Sequence, residues 1–409
     1  MPKSIVYMCN FANTPENGMN YRPYLLGKYA VQQGYDFIVI GAGFHHQMKE
    51  TKNAGAKPRF ETRDGVRFVW LPAKKYDANK YVSRVLNQFL FAWRARRFWR
   101  NNTLGIQNPI AVVSSSPSLF SSLAARFWAR KLKTKFVFEV RDIWPMSLIE
   151  LGGVGKWHPF MILLKMVERY SYKKAAKTIC TLPDAESYMC QNGLAAGKFA
   201  YVPNGVDVED AEEGEIMNAD FARAIRNRFV VGYAGTVGLA NNLEILIDTA
   251  VALQQQKDVV FAIIGDGPRK TALQQRVLEL SLHNVLFVDA VPKTEIQAYI
   301  RQFSVGYLGL HKAQVFQYGI SPNKLFDYML ASIPVLITVK PNRIVAEAGC
   351  GFSVEPDDPN EIAQKILELY QMGSDERVRL GQAGYEYVQK NHTYEHLCKR
   401  FISILEEKT

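Results

Sequence analysis

With 409 residues and an ordinary globular hydrophobic content of 48%, the chain exceeds a single core, which seldom grows past about 250–300 residues, so two domains are expected. No stretch reaches the roughly 18 consecutive apolar residues of a spanning helix, and Met1-Pro2-Lys3-Ser4 runs directly into strand-like Ile5-Val6-Tyr7 without the pattern of a cleavable signal, which points to a cytoplasmic protein. Net charge is +11 but uneven: residues 1–205 hold 30 Lys/Arg against 12 Asp/Glu, and residues 206–409 hold 20 against 27, giving halves of +18 and −7.

Such asymmetry marks a surface that meets something anionic, either nucleic acid or the cytoplasmic leaflet of a membrane; a solvated basic surface without a partner is the alternative. The five cysteines, Cys9, Cys180, Cys190, Cys350 and Cys398, are odd in number and far apart. Without a C-x-x-C pair or nearby His spacing, neither structural disulfides nor a zinc site is expected.

In chain order, Ser4–Met8, Tyr35–Ile40, Val66–Leu71, Ile110–Ser114, Phe136–Val140 and Thr178–Thr181 read as strands, alternating with helices at Tyr21–Gln33, Tyr81–Arg100, Leu119–Lys131 and Pro159–Lys174. Nearly all-apolar strands in this alternation predict a parallel sheet covered on both faces. Acidic Glu209–Glu215 reads as a connector. The alternation then restarts: strands at Phe229–Ala234, Val259–Ile264, Val285–Val288, Val305–Leu308, Val335–Val339 and Phe352–Val354, helices at Leu243–Gln255, Arg269–Ser281, Lys293–Gln302, Lys324–Ala331 and Glu361–Tyr370. Helical segments near Glu376–Lys390 and Tyr394–Glu406 close the chain. The division predicted is a first α/β domain over 1–205, a second over 206–390 and a final helix in 391–409 that packs back on the first. Ligands of open α/β sheets bind beyond the carboxyl ends of the strands, so the cleft between two facing domains is the expected active site.

The loops after the second set of strands carry the chemistry. Gly235-Thr236-Val237-Gly238 follows a strand, where glycines let backbone N–H groups approach an anion; a ligand-free tight turn is the alternative. Gly265-Asp266-Gly267-Pro268-Arg269 repeats the context, with Pro268 placed to begin a helix and Arg269 offering a guanidinium to phosphate, or else lying as a surface cation beside a turn. Ser321-Pro322-Asn323-Lys324 opens a helix whose positive end suits phosphate: Ser321 and Asn323 could cap it or bind an anion, Lys324 adds a full charge, and Asp327 one turn later suits ribose hydroxyls. The alternative is an N-capped core helix with a surface ion pair.

The order G-T-x-G at Gly235–Gly238, G-D-G-P at Gly265–Pro268 and S-P-x-K-x-x-D-Y-M-x-x-x-x-P-V at Ser321–Val335, with Pro203-Asn204-Gly205-Val206-Asp207 at the domain junction, resembles family 4 glycosyltransferases of the GT-B fold. The resemblance spans most of the chain and implies two facing Rossmann-like domains, a nucleotide-sugar donor, UDP-linked, as substrate with no other cofactor, transfer with retention, and no required metal; no D-x-D motif is evident. Glu139-Val140-Arg141-Asp142-Ile143-Trp144-Pro145 and Gly18 before the Tyr21–Gln33 helix are similar to the bacterial subgroup that builds O-antigen and capsule, fucosamine-type transferases included, which implies a lipid-linked saccharide acceptor. Two departures stand out. The family's E-x7-E pattern would place acids at 319 and 327, where this chain has Gly319 and Asp327, and the basic residue often found just after G-T-x-G is replaced by Leu239-Ala240-Asn241-Asn242. Lys324 and Arg269 are then left to supply the counter-charge of the diphosphate.

In the first domain, Gly18 is placed to let the backbone touch phosphate or acceptor, or to form a bland turn. Asp142, beyond the Phe136–Val140 strand, could orient or deprotonate an acceptor hydroxyl, or pair with Arg141 or cap the next segment. His45 and His46 also follow a strand and could touch a sugar. The segments Phe89–Arg100 and Lys156–Lys165 mix aromatics with cations, as suits an anionic bilayer surface, although core helices with solvated basic faces would look the same. No stacking-sheet, zinc or helix-turn-helix signature favours nucleic acid. The reading is a glycosyltransferase, with Asp142, Lys324 and Arg269 in catalysis, attached peripherally to the inner face of the cell membrane. A nucleotide-sugar epimerase of the same architecture and an inactive nucleotide-sugar-binding membrane scaffold are the competing readings.

Overall fold

The computed structural model, which describes residues 2–18, 20–76, 81–99, 104–211 and 218–407, turns the apolar runs of the sequence into two separate sheets. Met1, Arg100 of the basic aromatic segment and residues 212–215 of the acidic stretch lie outside the described residues. By the density of internal contacts the chain divides into a first unit, Met1–Asn204 with Tyr394–Thr409, and a second, Gly205–Thr393. No helix among the described residues is long and apolar enough to cross a membrane.

The first unit holds strands β1 (Ser4–Met8), β2 (Asp36–Ala42), β3 (Arg59–Arg63), β4 (Val66–Leu71), β5 (Pro109–Ser115), β6 (Lys135–Val140), β7 (Lys177–Cys180) and β8 (Phe199–Tyr201) in the order β3-β4-β2-β1-β5-β6-β7-β8. All neighbours are parallel except β3 and β4. The central strands are buried along their length, which is why they read as continuous apolar runs. Two strands escape the sequence pattern. β3, Arg-Phe-Glu-Thr-Arg, is a charged edge strand of the kind that protects an open sheet, and β8 has three half-buried residues. The sheet is otherwise parallel, as expected, with this one antiparallel edge.

The second unit orders its strands β11-β10-β9-β12-β13-β14, all parallel, with β9 (Phe229–Ala234), β10 (Val259–Ile264), β11 (Val285–Val288), β12 (Val305–Leu308), β13 (Val335–Ile337) and β14 (Gly351–Ser353). In sequence order this is 3-2-1-4-5-6, the doubly wound arrangement of dinucleotide-binding domains, and its order reverses between β9 and β12. The first unit reverses likewise between β1 and β5.

Several helices differ from expectation at their ends. The predicted Lys293–Gln302 helix is a short Ile296–Ile300, and the helix after β10 is Lys270–Glu279, so Pro268 precedes the N-cap Arg269 instead of opening the helix. The terminal helix Tyr394–Glu406 belongs to the first unit. Its Leu397, Phe401 and Leu405, spaced i, i+4, i+8 on one face, are buried in the same cluster as Leu25, Leu26 and Tyr7. Burying each such side chain contributes about 1.5–3 kcal/mol.

Candidate active site

In the second unit three loops converge where β9 and β12 part. These strands pair only at Val305–Val231 and Gly306–Gly232. Beyond that, the Tyr328 hydroxyl bridges them, accepting from the Ala234 N–H at 3.0 Å and donating to the Tyr307 carbonyl at 3.2 Å. Gly306 leaves room for the Tyr328 ring, since a Cβ there would lie 2.6 Å from it. The Tyr in D-Y-M is thus a fastener of the switch point. Its sequence signal was a polar aromatic on an otherwise apolar buried helix face.

The Gly235–Gly238 loop is held from within. The Tyr233 hydroxyl donates to the Thr236 carbonyl at 2.6 Å, and Asn241 Nδ2 donates to the same oxygen at 2.9 Å. Lys324 Nζ lies 4.5 Å above the Tyr233 ring and donates to the Tyr233 hydroxyl at 2.9 Å and to Asn241 Oδ1 at 2.6 Å. Burial lowers the Lys324 ammonium to about 7, with Asp327 opposing the shift. Below about pH 7 the lysine is charged, and its hydrogen-bond acceptors, Tyr233 and Asn241, are neutral. At Gly238 the backbone is extended, and a Cβ would meet only Thr236 and Asn241 at 3.6 and 3.9 Å, so nothing in the protein demands glycine there.

Gly265 and Gly267, expected from sequence at a phosphate, also let two loops approach closely. A Cβ at Gly265 would lie 1.9 Å from the Gly235 carbonyl oxygen, and one at Gly267 2.4 Å from that of Val237, at φ of 145° and 156°. Val237 N–H donates to the Asp266 carbonyl at 2.8 Å and Arg269 N–H to the Val237 carbonyl at 3.1 Å. The second glycine loop is therefore the bed on which the first one lies. Gly265→Ala is expected to lower the melting temperature by several degrees and donor affinity with it; unchanged melting and binding would mean that the loops do not need this approach.

Arg269 has a partner that the sequence did not suggest. Its Nε and Nη2 donate to Glu244 Oε1 at 2.8 and 2.6 Å, so the guanidinium is half of an ion pair with the Leu243–Ala252 helix. The helix Asn323–Leu330 has Pro322 as N-cap, without a side-chain cap; Ser321 precedes it and Asn323 is the first helical residue. Asp327 faces Lys293 Nζ at 3.0 Å, a partner that sequence spacing did not suggest. Gly319 closes a short helical turn, Gln314–Tyr318, at φ 87°, in the left-handed region that favours glycine.

The first unit offers a pocket of about 220 Å³ at the carboxyl ends of its strands, lined by Asp142, His46, Gln47, Gln88, Trp144 and Phe11 among others. Enclosure by protein raises the Asp142 carboxyl and adjacent Arg141 opposes it. Ser116 Oγ accepts the N–H groups of Arg141 and Asp142 at 2.8 and 3.3 Å, fixing the turn that presents the carboxylate. Arg141 donates to Asn20 at 2.7 Å. Gln88 is buried and its Oε1 has no hydrogen-bond partner among the described residues. His46 contacts the Tyr76 hydroxyl at 3.2 Å, and its imidazole is lowered by burial and then by Arg84. His45 leaves the list of sugar contacts: it is fully buried, its Nε2 lies 3.0 Å from the Ala12 carbonyl, and burial pushes it down to about 4. Gly18 lies against the following loop, where a Cβ would come within 2.3 Å of the Gln47 carbonyl, and Asn17 bonds the Glu50 backbone from both ends of its amide. That loop is thereby set beside Gln47 of the pocket.

Beneath it, buried Glu139 accepts from Tyr7, from Ser115 at 2.7 Å and from Arg22 at 3.1 Å. Burial opposes its ionisation, but Arg22, Tyr7 and Ser115 hold the carboxyl below its usual range. Arg22 reaches on to the Val202 and Pro203 carbonyls at 3.0 and 2.6 Å, tying the first helix to the last residues before the second unit.

Two α/β units, each with a strand-order reversal and loops gathered at the carboxyl ends of its strands, define an enzyme fold of the doubly wound class. Residues 17–210 match the family described as Glycosyltransferase Family 4, and residues 228–372 match Glycosyl transferases group 1. The chain is a family 4 glycosyltransferase of the GT-B fold. Among relatives, WbjE of Pseudomonas aeruginosa, a glycosyltransferase by name, is 25% identical over 76% of this chain and 79% of its own. WcaI of Escherichia coli (strain K12), whose name is that of a colanic acid biosynthesis glycosyl transferase, is 21% identical over 94% of this chain and 98% of its own. Among solved structures, sucrose-phosphate synthase from Thermosynechococcus elongatus superposes with a TM-score of 0.74 at 15% identity, covering 98% of both chains, and Anabaena HepE in complex with UDP and glucose with 0.67 at 13%, covering 99% of both.

Proposed function

We propose that this glycosyltransferase moves a sugar, with retention, from a UDP-sugar on its second unit to a lipid-linked saccharide received by the first, in the synthesis of a bacterial surface polysaccharide such as O-antigen or capsule. The observation that carries the reading is Lys324, partly stripped of water and held beside the Gly235 loop at the strand switch point. As the bond between the sugar and the diphosphate lengthens, negative charge grows on the leaving group, and a preorganised ammonium with backbone N–H groups stabilises it. Thr236, Gly238, Ser321 and Asn323 border the place assigned to the diphosphate, and Asp327, steadied by Lys293, receives the ribose hydroxyls. Asp142, with the unpartnered Gln88 Oε1, receives and orients the acceptor hydroxyl. The UDP in HepE and the polysaccharide name of WcaI support the donor and pathway class. The family match favours transfer over the epimerase and scaffold readings.

A donor panel tests it: turnover onto a lipid-linked saccharide is expected with a UDP-sugar, with the anomeric configuration kept in the product by NMR. Turnover with only GDP- or dTDP-sugars, or inversion, would overturn it.

The first unit also carries the features of a membrane face. Exposed Leu86, Phe89 and Trp93 fall at i, i+3, i+7 on the helix Tyr81–Phe98, and Ile162, Met166 and Tyr170 at i, i+4, i+8 on Pro159–Lys174. Trp157 is 78% exposed beside Lys156. Arg96 and Arg97 are exposed, each over an aromatic ring, and cations beside such stripes add about 1 kcal/mol each toward anionic lipid. The protein is expected to sediment with anionic vesicles and not with neutral ones, less so as salt rises. Equal sedimentation with both would remove this surface from the proposal.

A further inference from the structure

A second pocket of the first unit, about 460 Å³, lies between the Ala54–Pro58 loop, Leu71–Lys74 and the end of the helix Tyr81–Phe98. Its walls are mostly apolar, with Trp93 and Phe98 on one side and Leu71 and Pro72 on another. Among the described lining residues the charged ones are Lys74, Arg94 and Arg97, all cationic. Arg94 is fixed by donating to the Pro72 carbonyl at 2.5 Å. Arg97 lies over the Trp93 ring at 5.5 Å, and neither it nor the exposed Lys74 has a carboxylate partner among the described residues. Three cations around an apolar hollow suit an anion that carries its own hydrocarbon.

Its position separates this pocket from the one holding Asp142. Both border the same helix, but at about 100° per residue Arg84, Val85 and Gln88 point to one flank and Trp93, Arg94, Arg97 and Phe98 to roughly the other. A molecule here is therefore apart from the reacting saccharide. Trp93 belongs both to the pocket wall and to the exposed apolar stripe with Leu86 and Phe89, being 56% exposed. The hollow thus adjoins the face assigned to the bilayer.

We propose that this pocket binds the phosphate of a single anionic phospholipid between Lys74, Arg94 and Arg97, with the first carbons of the lipid against Trp93 and Phe98. Guanidinium and ammonium groups supply charge-assisted hydrogen bonds to the phosphate, and the aromatic pair offers apolar surface beside them. The inference rests on the membrane reading of this unit, but its test does not need a membrane. Dihexanoylphosphatidylglycerol below its micellar concentration is titrated into the full chain while tryptophan fluorescence is followed. Saturable binding is expected, with the signal lost in Trp93→Phe and affinity at least fivefold weaker in Lys74→Gln/Arg97→Gln, whose exposed side chains leave the melting temperature unchanged. Dihexanoylphosphatidylcholine should bind more weakly, and inorganic phosphate at the same concentration should not compete. No saturable binding by the wild type, equal affinity in the double variant, or displacement by inorganic phosphate would overturn the assignment. Vesicle sedimentation run alongside separates the two readings: soluble lipid bound without vesicle binding supports the pocket and removes the membrane face.

Discussion

Lys324→Ala is expected to weaken donor binding or slow turnover at least tenfold, about 1.4 kcal/mol, and to change the pH dependence of binding as well. In the free protein the ammonium sits at about 7 because burial disfavours its charge. A bound diphosphate favours the charged form and raises that value. Below pH 7 the lysine is charged both free and bound, so affinity is flat. Above pH 7 binding must take up a proton, and affinity falls by up to tenfold per pH unit until the pKa of the complex is passed. Calorimetry of UDP binding in two buffers of different ionisation enthalpy would report that proton uptake at pH 8. Its absence in the wild type, or its persistence in Lys324→Ala, would remove Lys324 from the diphosphate.

Asp142→Asn is expected to lower acceptor-dependent turnover by about 100-fold or more while leaving UDP affinity within twofold, because the carboxylate belongs to the first unit's pocket and the donor loops to the second. Since its surroundings raise the carboxyl, the acidic limb of the rate profile should lie above the usual carboxylate range and flatten in the variant. A variant that loses acceptor affinity alone, with unchanged maximal rate, would make Asp142 a binding group with no part in the chemical step.

The sheets were legible because their strands are buried on both faces, as in Val259–Ile264, where six apolar residues stand in a row. β3 was not, since an edge strand has no need of apolar alternation and its Arg59, Glu61 and Arg63 read as loop. The site was legible as positions, with Gly235 just after a strand and Lys324 near the start of a helix, where their own segments put them. It was illegible where the role depends on a partner distant in sequence. Nothing local says that Glu244 will take the guanidinium of Arg269, that Lys293 will meet Asp327, or that Gly265 answers to the carbonyl of Gly235. Glycine is ambiguous for the same reason: close approach of a ligand and close approach of the chain itself select the same residue. Gly319 sharpens this, because the acid expected at that position would have to adopt φ near 87°, so restoring Glu there strains the turn instead of repairing a lost contact.

The chain passes between its two units twice, after Asn204 and again after Thr393, and this has a consequence during synthesis. Domains ordinarily fold in the order in which they leave the ribosome. Here the first unit lacks Leu397, Phe401 and Leu405 of its own core until almost the whole chain has been made, whereas the second is encoded without interruption. The half that is translated first is therefore the half completed last, and a chain cut short at residue 393 would hold all of the second unit and only part of the first.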